Sequence, residues 1–330
     1  MRICVFGAGA IGGYLAGHLA QGGKTTGHQT ALIARGAHLE AIQARGLRVA
    51  MPDRTIHVRL AAESDPDCLG PQDVVIVTVK APALPAVAAT IRPLLGPQTA
   101  VAFVTNGIPW WYFHRHGGPH DGQPIRRLDP KGDLWSKIGP ERAIGGIAWP
   151  ASSVPEPGLV RMISGETLGT TFGEPDGSDS ARLRQLAEAF RASGLPVATS
   201  NGIRDLIWQK LIFNLSAGPL CVLTGAPVMD TQKETDLVAA SRTMLAEAEA
   251  VARAMGRNPT VDVDRTLTVN QRLAHRPSIL QDLQANRPME IDALYGVFQD
   301  FARMTNTPTP ALDLIFALIR VRARTAGLYD

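Results

Sequence analysis

The stretch "DLIWQKLIFNLSAGPL" (205–220) places Lys210 and Asn214 one helical turn apart among Trp208, Leu211, Ile212 and Phe213. A lysine in so apolar a helix either snorkels to solvent along its aliphatic stem or sits desolvated, where it can hold or release a proton. A second stretch, "HRPSILQDLQANRPMEIDALYGVFQDF" (275–301), sets Ser278 and Asp282 at helical spacing. It also puts Glu290 on one face with Leu294, Val297 and Phe301. A carboxylate on an apolar face is either partnered or functional, and opposite Lys210 it would complete a buried acid–base pair. The plainer readings are a helix cap for Ser278 and a surface salt bridge for Asp282.

Anion chemistry is written at the other end of the chain. "GAGAIG" (7–12) follows a strand-like "RICVF" and opens a helix-like "AIGGYLAGHLAQ". Gly7 permits the tight turn, Gly9 the close approach of a pyrophosphate, and Gly12 close helix–strand packing, with Ala8, Ala10 and Ile11 between them. Free amides at the helix start favour phosphate. The next strand ends "LIARGAH", with Arg35 where an NAD-binding carboxylate would stand and no acid before Glu40. An arginine fork suits a 2′-phosphate, so NADPH is the expected cofactor. Lys80 and Asn106 end the strand-like runs "DVVIVTVK" and "TAVAFVTNG". Ligands in such sheets bind beyond the carboxyl ends of the strands. Lys80 is thus read as a contact to cofactor phosphate or ribose, and Asn106 as one to nicotinamide or substrate. His114, His116 and His120 lie in the polar stretch 112–142 and are read as solvated loop residues, with no metal site expected.

These residues need elements to hold them. Strand-like runs at 2–6, 30–35, 73–80 and 99–107 alternate with helices, which predicts an N-terminal Rossmann-type, doubly wound parallel α/β sheet. The stretch 112–142 reads as an insertion, followed by strand-like pieces at 143–149, 159–164, 169–174 and 196–201. From about 205 the pattern is helical, with helices expected over 230–255, 278–305 (interrupted at Pro288) and 310–323. The expected domains are 1–201, nucleotide-binding, and 202–330, a smaller all-α substrate domain. A net charge of +3 on 330 residues argues against a nucleic-acid partner and suits a small anionic ligand. Three scattered cysteines, a start without signal-peptide layout and no apolar run near roughly 18–20 residues point to a cytoplasmic protein with no membrane contact, compatible with a homodimer.

The ordered set "GAGAIGG", "VTVKA" (77–81), "TNG" (105–107), "WQKLIFN" (208–214) and "HRPSILQDLQANRPMEID" (275–292) resembles the ketopantoate reductase family over both domains. That resemblance implies NADPH-dependent reduction of 2-dehydropantoate to (R)-pantoate, for pantothenate and coenzyme A synthesis. It implies Lys210 as catalytic acid and Glu290 as its supporting carboxylate. It also implies substrate contacts at Asn214, Ser278 and Asn106, and cofactor-edge contacts at Lys80 and Asn106. Two features depart from the family pattern. The further asparagine expected one turn past Asn214 is Gly218, and the stretch 112–142 adds sequence near Asn106. The alternatives are a reductase of another branched or bulky 2-oxo acid, and a non-catalytic NADPH-binding regulator.

Overall fold

A computed structural model describes residues 1–163 and 168–329, and the chain divides into two compact units. The first contains 1–105 and 109–203, and the second 106–108 and 204–330.

In the first unit, β1 (Arg2–Phe6) leads through the glycine turn into α1 (Ala10–Thr26), and β2 (Gln29–Ile33) into α2 (Gly36–Arg45). Three short strands follow: β3 (Leu47–Ala50), β4 (Thr55–Val58) and β5 (Ala61–Glu63). Next come β6 (Gln72–Val77), α3 (Leu84–Thr90), β7 (Leu95–Val104) and β8 (Ala143–Ala148). The unit closes with β9 (Ser152–Glu156), β10 (Leu159–Met162), β11 (Thr170–Gly173), α4 (Ala181–Ala192) and β12 (Val197–Thr199). The main sheet has the order β12-β11-β8-β7-β6-β1-β2-β5. It is parallel from β5 to β8, and β11 pairs antiparallel to β8. β1, β6 and β7 are covered on both faces, which is why their sequences run apolar without alternation.

A second sheet, ordered β4-β3-β10-β9, is not expected from the sequence beyond its strand β10, because its strands are only four or five residues long. It braces α1. A Cβ at Gly13 would stand 2.6 Å from Val160 of β10, and one at Gly17 2.5 Å from Val49 of β3. These glycines, one turn apart, let the helix lie directly on the small sheet. The strand expected over 159–164 ends at Met162, and position 164 lies outside the described residues.

The stretch 112–142 is far from a structureless loop. Tyr112 and Phe113 are buried, as are Trp110 and Trp111 just before the stretch, and Trp110 meets Phe103 and Trp135 edge to face. The buried Asp129 carboxylate accepts the Leu134 and Trp135 amides at 3.1 and 2.9 Å, capping a π turn at Leu134–Ile138. His116 and His120 lie against the ring of Phe113, and His114 against Trp135. Aromatic residues anchor this segment, while its charged residues gave the polar reading.

The second unit is helical: α5 (Ile203–Thr224), α6 (Val228–Thr231), α7 (Thr235–Ala254), α8 (Val263–Asn270), α9 (Ser278–Gln284), α10 (Val297–Met304) and α11 (Pro310–Thr325). A π turn at Asp292–Gly296 runs into α10. The helix expected over 278–305 is therefore broken between Gln284 and Ile291, on either side of Pro288. Trp208 of α5 packs on Phe298 and Phe301, and Glu247 of α7 takes the two orphan amides of Ala311 and Leu312 that open α11. The expected lack of an apolar run near membrane length does not hold for α5. Among the described residues, α5 is long and apolar enough, by length and composition, to cross a membrane. Of its most apolar window 67% is buried within the protein, and a core helix surrounded on most sides is hydrophobic all round.

The glycine turn yields a contrast in stability. A Cβ at Gly12 would stand 1.8 Å from the Gly7 carbonyl oxygen, whereas one at Gly9 meets nothing within 4 Å. Gly12→Ala is expected to destabilise the protein by ~1–3 kcal/mol. Gly9→Ser, a good helix cap, should stay within about 0.5 kcal/mol of the parent. Calorimetric melts compare them, and equal melting temperatures would contradict the packing described.

Candidate active site

The nucleotide-binding half lies in the first unit. Gly7 holds φ at +114°, donates its amide to the Ile33 carbonyl at 3.0 Å and accepts the Thr78 hydroxyl at 2.7 Å. β1, β2 and the residue after β6 thus clamp the turn from three sides. Gly9 caps α1, followed by the partly exposed Ala10 and Ile11, while Ala8 is buried beneath. The first amides of α1 have no helical acceptor, and the open space over Gly9 lets a ligand approach the backbone. This arrangement fits the pyrophosphate of a dinucleotide.

Arg35 is exposed, two residues beyond β2, where it occupies the cap position of α2 in extended backbone. Along β2 itself and up to Glu40 the sequence holds no acid. In the sheet, Glu63 at the end of β5 pairs in register with Ile33, so a carboxylate stands one strand away. Pairing of β2 with a three-residue strand carried no signal in the sequence. Lys80 does not end a strand: β6 stops at Val77, and Lys80 caps the short turn Ala81–Ala83.

The group around Lys210 and Glu290 lies in the second unit and assembles residues far apart in sequence. Asn106 belongs to it: β7 ends at Val104, and 106–108 cluster with the helical unit. Gly107 has φ +76°, and a Cβ there would meet the Ala293 carbonyl oxygen at 2.2 Å. Without a side chain at 107, Ile108 donates its amide to that same carbonyl at 3.0 Å. This docking brings the Asn106 side-chain amide to Glu290 Oε2 at 3.1 Å. The "TNG" motif thereby acquires a mechanical reason: glycine permits the contact, and asparagine uses it.

Glu290 is 3% exposed and sits just before the π turn, with its carbonyl accepting the Leu294 amide. Leu294, Val297 and Phe301 are all buried, as their shared face requires. The chain end holds this segment, since Tyr329 donates its hydroxyl to Asp292 at 3.0 Å. Inserted π turns recur at functional sites because they re-aim the residues beside them.

Lys210 keeps some accessible surface, yet burial of its ammonium pulls its pKa down to about 8, with the Glu290 charge opposing that fall. The desolvation of the stem and head outweighs one nearby carboxylate. The result is a lysine that is mostly charged at neutral pH yet a far stronger acid than a free lysine. Tyr295, which the sequence reading did not single out, lies in the same field. Its phenol is pushed up by burial first and then by the charges of Cys221 and Glu290. Its position inside an apolar helix face gave no separate signal.

Asn214 follows Lys210 by one turn and is partly exposed. Gly218 comes one turn later, where an added Cβ would lie 4.0 Å from both Pro277 and Ile279, the neighbours of Ser278. The Lys210–Asn214–Gly218 stripe therefore runs toward the start of α9. Ser278 is exposed at the first position of α9, and no side chain caps that helix. Asp282 is 1% exposed and pairs with Arg287 at 3.3 Å, so it is no surface bridge. Ser216 faces the core, where it accepts from Asn270 at 2.8 Å. It is thus committed elsewhere and does not stand in for the amide missing at Gly218.

Comparison with known proteins follows the same division. The family profiles "Ketopantoate reductase PanE/ApbA" and "Ketopantoate reductase PanE/ApbA C terminal" match residues 3–109 and 202–323. A 2-dehydropantoate 2-reductase of Mesorhizobium japonicum is 42% identical over the full length of both chains. A Ralstonia solanacearum protein, solved as a candidate ketopantoate reductase, is 38% identical with a TM-score of 0.91, covering 99% of each chain. A D-mandelate dehydrogenase solved with NADH and anilino(oxo)acetate, 20% identical over 99% of this chain and 100% of its own, shares the fold at a TM-score of 0.81. With the glycine turn, the buried lysine and its carboxylate in place, the chain belongs to the ketopantoate reductase family, oxidoreductases that reduce 2-oxo acids with a nicotinamide dinucleotide.

Proposed function

We propose that the protein reduces 2-dehydropantoate to (R)-pantoate with NADPH, in the cytoplasm, as a step of pantothenate formation. The observation that carries this reading is Lys210, held near a pKa of 8 in an apolar helix with Glu290 supporting its charge. Reduction of a ketone leaves negative charge on oxygen, which needs a field and a proton. The Lys210 Nζ supplies both, and the lowered pKa brings its proton closer in strength to neutral pH. Glu290 keeps the amine protonated between turnovers. Asn106 fixes the Glu290 carboxylate, while Asn214 and Ser278 bind the acid's polar groups. In the first unit, Gly7 to Gly12 and the start of α1 receive the pyrophosphate, Arg35 the 2′-phosphate, and Lys80 the cofactor edge. The bound nicotinamide supplies the hydride.

A second reading, reduction of a bulkier 2-oxo acid, is favoured by Gly218. An added Cβ there would touch its neighbours only at 4.0 Å, so glycine leaves more room beside Ser278 than asparagine would. The match of every other motif position favours 2-dehydropantoate.

Cofactor choice is tested by fluorescence titration. NADPH is expected to bind at least about tenfold more tightly than NADH, some 1.4 kcal/mol. Equal affinities would remove Arg35 from the 2′-phosphate and turn attention to Glu63.

The proton donor is tested by the pH profile of keto-acid reduction. The acid form of Lys210 is lost as pH rises through its pKa, so the rate should fall above about 8. Glu290 raises that pKa, and Glu290→Gln should therefore move the fall to lower pH. Lys210→Ala should lower kcat by roughly 10²-fold or more while NADPH affinity stays within about twofold. A rate that is level up to pH 10, or near-normal turnover in Lys210→Ala, would return the lysine to a snorkelling role.

The substrate is settled by an NADPH-oxidation panel of branched and aryl 2-oxo acids that includes 2-dehydropantoate. Gly218→Asn should lower the KM for 2-dehydropantoate by roughly two- to tenfold, the worth of one neutral hydrogen bond. Activity on another acid that exceeds it by tenfold, and is abolished by Gly218→Asn, would identify the bulkier substrate instead.

A further inference from the structure

His38 lies in the first turn of α2, three residues after Arg35, and neither the glycine motif nor the family motifs include it. Its ring is half-buried. Nδ1 accepts the Gly158 amide at 3.0 Å, in the turn between β9 and β10. Gly158 is itself fixed: it holds φ at +83°, a Cβ there would meet Ala41 of α2 at 3.1 Å, and its carbonyl accepts the Arg48 amide of β3 at 2.9 Å. An acceptor at Nδ1 puts the proton of the neutral ring on Nε2. Burial lowers the pKa of the ring, which favours this neutral form, and the one opposing influence is the backbone of Ala8. Nε2 is sealed from solvent and makes no hydrogen bond among the described residues. Its donor is therefore directed at the glycine turn without closing on it.

The topology explains the meeting. β1 and β2 are neighbours in the sheet, so the turn after β1 and the helix after β2 begin side by side. His38 thus stands where α2, the small sheet and the glycine turn converge. A buried N–H without an acceptor is uncommon, and a nearby carbonyl is its natural resolution. A ligand cannot reach the sealed Nε2, whereas a small movement of the Ala8 peptide can.

We propose that His38 is a positioning residue for the cofactor: its Nε2–H grips the Ala8 carbonyl as the glycine turn tightens, and so aims the amides that receive the pyrophosphate. This rests on the dinucleotide reading of that turn. The turn-holding role is distinct from contact with the 2′-phosphate, which belongs to Arg35.

The test uses the full-length protein and two variants. His38→Asn can still accept the Gly158 amide but is too short to reach Ala8, so its melting temperature should match the parent. His38→Ala loses both contacts. Both variants are expected to weaken NADPH binding about fivefold, with kcat at saturating cofactor and the affinity for adenosine 2′-phosphate, which lacks a pyrophosphate, within about twofold. Hydrogen exchange at the Ala8 and Gly9 amides of the NADPH-bound protein should quicken in both. Parent-like NADPH binding and exchange in His38→Asn would overturn the proposal, as would a parallel loss of adenosine 2′-phosphate affinity. If the parent itself binds no nicotinamide dinucleotide, the functional reading fails and this proposal falls with it, whereas a parent that binds NADPH no better than His38→Asn overturns the proposal alone.

Discussion

The charge on Lys210 is a contest between desolvation and one carboxylate, and much of the second unit bears on its outcome. Burial in α5 pulls the ammonium toward neutrality, and Glu290 pulls it back. Neither partner could act if it were free to move. The lysine is carried on a 22-residue helix whose Trp208 is wedged against Phe298 and Phe301. The carboxylate is carried on a short segment fixed by the π turn, by Asn106 and by the chain end at Tyr329. The same apolar surroundings that lower the lysine pKa also make α5 look like a membrane span by composition. One physical cause, a polar group kept in a core helix, underlies both observations.

The first unit presents polar groups of another kind, backbone amides at the start of α1 with no buried side-chain charge beside them among the described residues. Glycine rather than side-chain chemistry therefore dominates there. Three glycines do separate jobs within one turn and a half of helix. Gly12 lets α1 begin against Gly7 and Thr78, while Gly13 and Gly17 let it rest on the small sheet. The helix whose amides must meet phosphate is thus held on two sides. The two units thus offer opposite kinds of polarity: open backbone amides at the glycine turn, and a desolvated ammonium at Lys210.

Where the chain departs from its family, the local structure shows what the departure changes. Gly218 leaves room for a Cβ, which would lie 4.0 Å from both Pro277 and Ile279. The stretch 112–142 does not hang as a polar excursion. Tyr112 and Phe113 at its start are buried, and His114 and His116 meet aromatic rings edge to face.

Period and punctuation in the sequence determined the main elements: β1, β2, β6 and β7 from unbroken apolar runs, α1 from its glycine start, and α5 and α11 from helical spacing. They also singled out Lys210, Asn214 and Glu290, because a polar group on an apolar face is visible without any structure. Local pattern could not reveal pairings over long separations. The small sheet, Glu63 beside β2, and the contact of Asn106 with Glu290 across 184 positions exist only once the chain has folded. The burial of Asp282 and the role of His38 likewise depend on neighbours that no spacing rule supplies. Spacing encodes which face a residue occupies; only tertiary packing decides what stands opposite that face, how dry it is, and therefore which charge the residue carries.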